Sequence, residues 1–201
     1  MFITIEGIEG SGKTTLARAL AKELLAQGLD VVVTSEPGGD AVGTAIRRLL
    51  LDSSSEIADR AELLLFEAAR AQNVDKVIRP ALDRDAVVIS DRYADSSIAY
   101  QGYARGINPI TVRLFNDYAT RTLTPDLTIL LDLPAKDGLA REREADRFSA
   151  EDMAFHERVR QGFLEIARAG PQRFVVIDAS LEPQEVLAKA MEAIRRLKGA
   201  A

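Results

Sequence analysis

Gly7-Ile8-Glu9-Gly10-Ser11-Gly12-Lys13-Thr14 decides how the rest of this chain is read. The stretch fits G-x-x-x-x-G-K-[ST]. Its glycines let the backbone turn so that successive N–H groups face a single anion. Lys13 supplies a point charge to the β- and γ-phosphates of a nucleotide, and Thr14 offers a hydroxyl to Mg2+. A helix beginning at Lys13 adds its positive N-terminal end. The flanking sequence meets the requirement that a strand precede the motif and a helix follow it. Phe2–Glu6 is a β-rich run that stops at Gly7. Lys13–Gln27 carries Leu16, Ala17, Leu20 and Leu24 at helical spacing, with Gly28 as C-cap.

Outward from this loop, strand-like and helix-like segments alternate. Val31–Thr34 reads as a second strand, and Glu36-Pro37-Gly38-Gly39 is a breaker cluster that must be a loop. Helical spacing covers Ala41–Leu51 and Glu56–Ile78, with Pro80 placed just past the second helix. Ala86–Ser90 is a short, apolar, β-branched strand. Tyr93–Tyr103 is mixed, a loop with a helical turn. Asn108–Arg121 is a helix with Asn108 as N-cap and Pro109 at its first position. Leu127–Leu133 is a fourth strand, followed by a helix from Pro134 to about Glu144 and then by a charged stretch. A helix over Ala150–Ala169, a strand at Phe174–Asp178 and a helix over Glu182–Leu197 complete the chain. Five β-rich runs separated by helices imply an α/β fold, a five-stranded parallel sheet with helices on both faces. Ligands are then expected at the carboxyl ends of the strands. The expectation is one domain over 1–201.

A P-loop nucleotidase or kinase also needs an acid on a neighbouring strand to help hold Mg2+. Asp91, at the end of Val87-Val88-Ile89-Ser90, is one candidate. Asp132, at the end of LTILLD, competes with it, although it can equally cap the turn before the Pro134 helix. No Asn is followed by Lys, so the guanine-reading N-K-x-D of a regulatory GTPase is missing. A chain of 201 residues leaves no room for the partner-binding regions of a motor. A small-molecule kinase fits. The acceptor's charge would be met by Arg92, beside Asp91, and by Arg47 on the helix after the EPGG loop. Arg141, Arg143 and Arg147 form a cluster able to close over ATP as a lid, about 136–149.

Taken together, the motifs resemble the thymidylate kinase family over nearly the whole chain. The ordered set is IEGIEGSGKTT, EPGG, LLLFEAARAQ, VVISDRYADSSIAYQG, PDLTILLDL and an Arg-rich stretch with DRF. The resemblance implies transfer of the γ-phosphoryl of ATP to dTMP, with Mg2+, in a cytoplasmic homodimer. It places thymine on Phe66 and gives Arg70, one turn away on the same helix face, a base carbonyl. It puts Arg92 and Arg47 on the dTMP phosphate and Glu9 on the deoxyribose 3′-hydroxyl. Tyr100 stands where a ribose 2′-hydroxyl would project. Ser97 and Gln101 meet the thymine edge, and Glu36 and Pro37 shape the pocket. ATP falls to Gly7, Ile8, Glu9, Gly10, Ser11, Gly12, Lys13 and Thr14, with Arg141 and Arg147. The metal falls to Thr14 and Asp91. Lys13, Asp91, Arg92 and Arg143 are the expected catalytic set.

Two departures stand out. Ser35 precedes EPGG where the family commonly has Arg. Gly10 occupies a loop position where some members carry Arg, so the catalytic cation is expected from the lid, with Arg143 first, then Arg141 and Arg147. His156, the only histidine, is expected at the surface or in helix packing, without a catalytic part. Other readings are another nucleotide or nucleoside kinase of this fold, or a module that binds a nucleotide without turnover. The net charge of −5 argues against nucleic acid as a partner. The absence of cysteine excludes disulfides and thiolate metal sites. The N-terminus lacks a signal-peptide pattern and no run reaches the roughly 20 apolar residues of a membrane span. The expected compartment is the cytoplasm.

Overall fold

The chain was analysed as a computed structural model, which describes residues 1–141 and 146–199. The central strand β1 (Phe2–Glu6) is buried along its whole length. It pairs in parallel with β3 (Val87–Asp91) on one side and β4 (Leu127–Asp132) on the other. β2 (Val31–Ser35) and β5 (Phe174–Asp178) lie outside these, giving the order β2-β3-β1-β4-β5. This is the expected five-stranded parallel α/β sheet. Continuous β-branched runs such as Val87-Val88-Ile89 suit strands covered on both faces.

The helices follow the apolar spacing. α1 (Lys13–Ala26) buries Leu16, Ala17, Leu20 and Leu24. It packs on β1, β2 and β3 and beside α9 (Pro183–Gly199), which reaches β4 and β5. α8 (Met153–Ala169) lies on β4 and β5 as well. α2 (Ala41–Leu51) is capped by Asp40, whose carboxylate accepts from Gly43 N at 2.7 Å. α6 (Pro109–Thr120) starts as expected, with Asn108 accepting from Ile110 N at 2.9 Å. Among the described residues no helix is long and apolar enough to cross a membrane.

The structure corrects several boundaries. α3 (Asp59–Asn73) does not stop before Pro80. It widens into a π-helical turn, Val74–Ile78, and continues as α4 (Arg79–Leu82) with Pro80 inside its first turn. The wide turn shifts the carbonyl that an α-helix would aim at a proline nitrogen with no hydrogen. Tyr93–Tyr103, expected as a loop with one helical turn, is helical over nearly its whole length: α5 (Ala94–Ser97) runs into a π-helical turn, Ile98–Ala104. Asp95, Ser96, Ser97 and Gly102 within this stretch are weak helix formers, and the segment packs on α8. α8 itself begins at Met153, where Asp152 accepts from Phe155 N at 2.7 Å. The helix expected to reach Glu144 is described as α7 (Ala135–Arg141), and its expected end falls outside the described residues.

Two features of this frame position the loop at Gly7–Thr14. The first is a contact between glycines. A Cβ on Gly10, whose φ is +66°, would stand 2.0 Å from Gly138 O in α7, and a Cβ on Gly138 would stand 2.5 Å from Glu9 O. The loop therefore rests backbone to backbone on α7. Gly138→Ala gains about 1 kcal/mol of helix propensity but meets fixed backbone, a clash of about 1–3 kcal/mol. Denaturant unfolding of Gly138→Ala is expected to show a net loss of stability. Unchanged or increased stability would mean that α7 and the loop are not in this contact.

The second is Glu6, fully buried at the end of β1. Burial, reinforced by the charge of Asp95, pushes its carboxyl up to about 8. Donation from Ser96 Oγ at 2.6 Å and Tyr93 N at 2.8 Å, and the charge of Arg92, oppose that rise. The folded chain thus holds a proton that the unfolded chain releases near 4.5. The stability from this group is full below that value and is lost as pH rises toward 8. Glu6→Gln mimics the protonated acid at every pH. Its Tm is expected to fall less than the parent's between about pH 5 and about pH 9. Parallel curves would rule out the buried proton.

Candidate active site

The loop after β1 turns into α1 with its polar groups gathered inward. Ser11 Oγ donates to Ile8 O at 2.8 Å. Lys13 is buried, and its Nζ folds back to donate to Ile8 O at 2.5 Å and to Ser11 Oγ at 3.3 Å. Burial lowers its pKa to about 8, helped by the charge of Arg92 and opposed by Asp91, Glu9 and Glu6. An arriving polyphosphate would replace the Ile8 carbonyl with anionic oxygens and favour the ammonium form. Thr14 Oγ1 donates to Asp91 Oδ2 at 2.5 Å. The β1–β3 pairing produces this contact by setting Asp91 beside Ile5. The competing acid, Asp132, is held by Arg160 through two bonds of 2.7 and 3.0 Å. Of the two acids, Asp91 is the one that meets the loop.

Arg92, next along, has φ +72°, an outlier for a bulky side chain. Its backbone is pinned by Arg92 N to Ile5 O at 2.9 Å and Ser90 Oγ to Arg92 O at 2.7 Å. The guanidinium then donates to Gly7 O at 2.9 Å, Ser96 Oγ at 3.3 Å, Glu9 Oε1 at 3.1 Å and Tyr100 Oη at 3.1 Å. Tyr100 Oη also donates to Glu9 Oε1 at 2.5 Å. Burial works to neutralise Glu9, but His156, Arg92, Lys13 and Tyr100 together hold its carboxyl well below the usual range. Glu9 is therefore an acceptor facing the cleft.

A single cleft of about 900 Å³ runs from the loop to this cluster. It brings together the expected Glu9, Gly10, Gly12, Lys13, Thr14, Glu36, Pro37, Arg47, Phe66, Asp91, Arg92, Ser97, Tyr100, Gln101 and Arg141. Gly7, Ile8 and Ser11 shape the loop beneath it. Two other expected residues are placed differently. Arg70 does not line the cleft. It is 1 % exposed and donates to Glu36 at 2.7 Å, to Glu67, Ser97 and Asn116, and to Tyr93 O. A buried guanidinium is satisfied first by the acids around it, so Arg70 braces Glu36 and Ser97 from behind. Arg147 is also away from the cleft. It bonds Leu50 O and Glu62 and lines a separate cavity of about 550 Å³ with Arg105 and Glu151. Arg143 lies outside the described residues.

Some cleft residues were not singled out from the sequence. Phe148 closes the apolar wall, its ring 5.7 Å from that of Phe66 and 5.9 Å from that of Tyr100. Its signal was the DRF at 146–148, where the arginine drew attention instead. His156 is fully buried on α8, with Nδ1 3.3 Å from Glu9 Oε2 but out of line for a hydrogen bond. Of the two expected positions, surface or helix packing, burial excludes the first and agrees with the second. Its spacing from Val159 and Phe163, both buried on the same helix, was the available signal.

Comparison with known proteins agrees with this geometry. The family model described as thymidylate kinase matches residues 5–190. A thymidylate kinase of Nitratidesulfovibrio vulgaris is 49% identical over 100% of this chain and 98% of its own length. One of Deinococcus radiodurans is 49% identical over 96% of each chain. The crystal structure of thymidylate kinase from Ehrlichia chaffeensis superimposes with a TM-score of 0.80 at 36% identity, covering 96% of this chain and 98% of that one. With the glycine-rich loop, Asp91 and the arginine-lined cleft already in place, these matches establish that the chain belongs to the thymidylate kinase family of nucleoside monophosphate kinases.

Proposed function

We propose that ATP binds on Gly7–Thr14 and dTMP in the same cleft beyond it, and that this chain carries the γ-phosphoryl from the first to the second. The observation behind this reading is that Arg92 joins both ends: one guanidinium binds the loop at Gly7 O and the acceptor pocket at Glu9 and Tyr100. The phosphate of dTMP fits between Arg92 and Arg47, and its 3′-hydroxyl fits the acceptor Glu9. Tyr100 fills the space a 2′-hydroxyl would need, and the thymine ring lies against Phe66.

Thr14 and Asp91 suit Mg2+, because a hydroxyl and a carboxylate are hard oxygen donors set 2.5 Å apart at the phosphate loop. Two protein oxygens leave the other positions to water and phosphate, the usual arrangement for this ion. Bound there, Mg2+ supplies charge neutralisation for the phosphates. The residues of the chain do the positioning. Lys13 and the loop N–H groups hold the donor. Arg92 and Arg47 hold the acceptor phosphate, an oxygen of which attacks the γ-phosphorus in line. That oxygen is already anionic, so no side-chain base is needed, and catalysis is alignment plus charge stabilisation. Arg141, and Arg143 beyond it, supply the lid's positive charge in this reading, which sets the reaction in the cytoplasm.

The test is ADP formation with ATP·Mg2+ and dTMP, dUMP, UMP, dCMP, AMP or thymidine as acceptor. Strong preference for dTMP is expected, with negligible ADP when no acceptor is present. Preference for a different monophosphate would remove the Phe66–Tyr100 assignments. ADP release independent of any acceptor would remove the kinase reading.

A homodimer belongs to the same proposal. Ile110, Leu114 and Tyr118 repeat every fourth residue on α6 and are 68, 65 and 86% exposed. Leu64, on the adjoining α3, is 52% exposed. An apolar stripe of this kind is what an interface requires, and it lies mainly on α6. Sedimentation at micromolar concentration is expected to give a dimer and Leu114→Arg a monomer. A monomeric parent protein would exclude the interface.

A further inference from the structure

Gln101 lines the cleft but is only 1 % exposed, so its carboxamide is fixed by what surrounds it. Its Nε2 donates to Glu62 Oε1 at 2.7 Å. Glu62, on α3, is fully buried, and its Oε2 is met by Arg105 at 3.2 Å and Arg147 at 2.7 Å. Arg105 is held in turn by Glu151 at 2.6 Å. A carboxylate between two guanidinium groups accepts and does not donate. It therefore selects the nitrogen of the Gln101 carboxamide and turns Oε1 to the opposite side. A neutral partner at position 62 would impose no such choice, because an amide or hydroxyl can pair with either end of the carboxamide.

We propose that Glu62 is a positioning residue that sets the polarity of Gln101 and, through it, the choice of pyrimidine. The inference rests on the acceptor pocket proposed above. With Nε2 held on the Glu62 side through one of its two hydrogens, Gln101 turns Oε1 to the base as an acceptor. Thymine and uracil carry a donor at N3–H, and cytosine carries a lone pair there. The fixed carbonyl pairs with the first two and repels the third. Sites built to pair one hydrogen-bonding pattern reject its inverse far more strongly than apolar pockets reject a methyl difference. Glu62 touches no substrate in this arrangement and acts only through Gln101.

The experiment compares kcat/KM for dTMP and for dCMP in the parent protein and in Glu62→Gln. The variant keeps the shape of the side chain but lets the Gln101 carboxamide take either orientation. The dTMP-to-dCMP ratio is expected to fall by about 10- to 100-fold, from a higher KM for dTMP and a gain with dCMP. A purely structural role would lower both substrates together at constant ratio, and that result overturns the proposal. A parent protein without turnover on dTMP would instead remove the reading on which it rests. If Glu62→Gln does not fold, 15N NMR of the Gln101 side chain in the parent protein decides. Its amide protons are expected to stay protected and bonded to the carboxylate when dTMP is added. Release of that bond on dTMP binding overturns the proposal.

Discussion

A guanidinium taken out of water must have its donors matched, and the matching groups are then fixed relative to one another. Arg92 imposes this constraint on the cleft. Its acceptors come from the loop after β1 (Gly7 and Glu9) and from the helical segment after β3 (Ser96 and Tyr100). The left-handed backbone at Arg92 is strained by itself. It is held because β3 stays paired with β1 up to Asp91 and because Ser90 bonds Arg92 O. The same strand end sends Asp91 to Thr14 and Arg92 to Glu9. One short turn therefore fixes the distance between the nucleotide loop and the acceptor pocket, and a phosphoryl transfer depends on that distance.

How far the sequence could be read follows from how local each signal is. The loop Gly7–Thr14, the five strands and the Asn108 cap are written in neighbouring residues, and they stand as expected. Pro80 and the Tyr93–Tyr103 segment misled because π-helical turns have no local signature. Ser96 and Ser97, read alone, favour a turn, and only packing against α8 makes the segment helical. Arg70 and Arg147 show the same limit for charge. The sequence gives their sign, but which acid satisfies them is set by residues such as Glu36 and Glu62, far away along the chain. His156 reached Glu9 because α8 brings it there, which its own neighbours do not encode.

Gly10 has a consequence for where catalytic charge can come from. In this fold the loop touches α7 through main-chain atoms at Gly10 and Gly138, so no side chain fits at position 10. An arginine there would force the two apart. A cation carried on the loop at position 10 therefore has no room here. Arg141, the last described residue of α7, lines the cleft and donates to Ala179 O at 3.0 Å. The contact that excludes a loop arginine is thus made by the helix that presents Arg141 to the same cleft. Packing and the source of charge are two aspects of one arrangement.

Ser35 raises the matching question at the acceptor end, where the family commonly has an arginine. Ser35 lines the cleft and contributes no charge. Its neighbour Glu36 cannot add negative charge freely, because Arg70 and Asn73 bind both of its oxygens. The loop is therefore close to neutral, and in the proposed reading the positive charge for an acceptor phosphate comes from Arg92 and Arg47. Arg92 is already shared with Glu9, whereas Arg47 has only the Pro37 carbonyl at 3.2 Å among the bonds described. A carbonyl holds a guanidinium less strongly than a carboxylate or phosphate does. Arg47 is consequently the cation that can turn to an incoming phosphate at least cost, and Arg92 the one that is already in place. The pocket keeps one fixed and one movable positive group in the absence of the arginine at position 35.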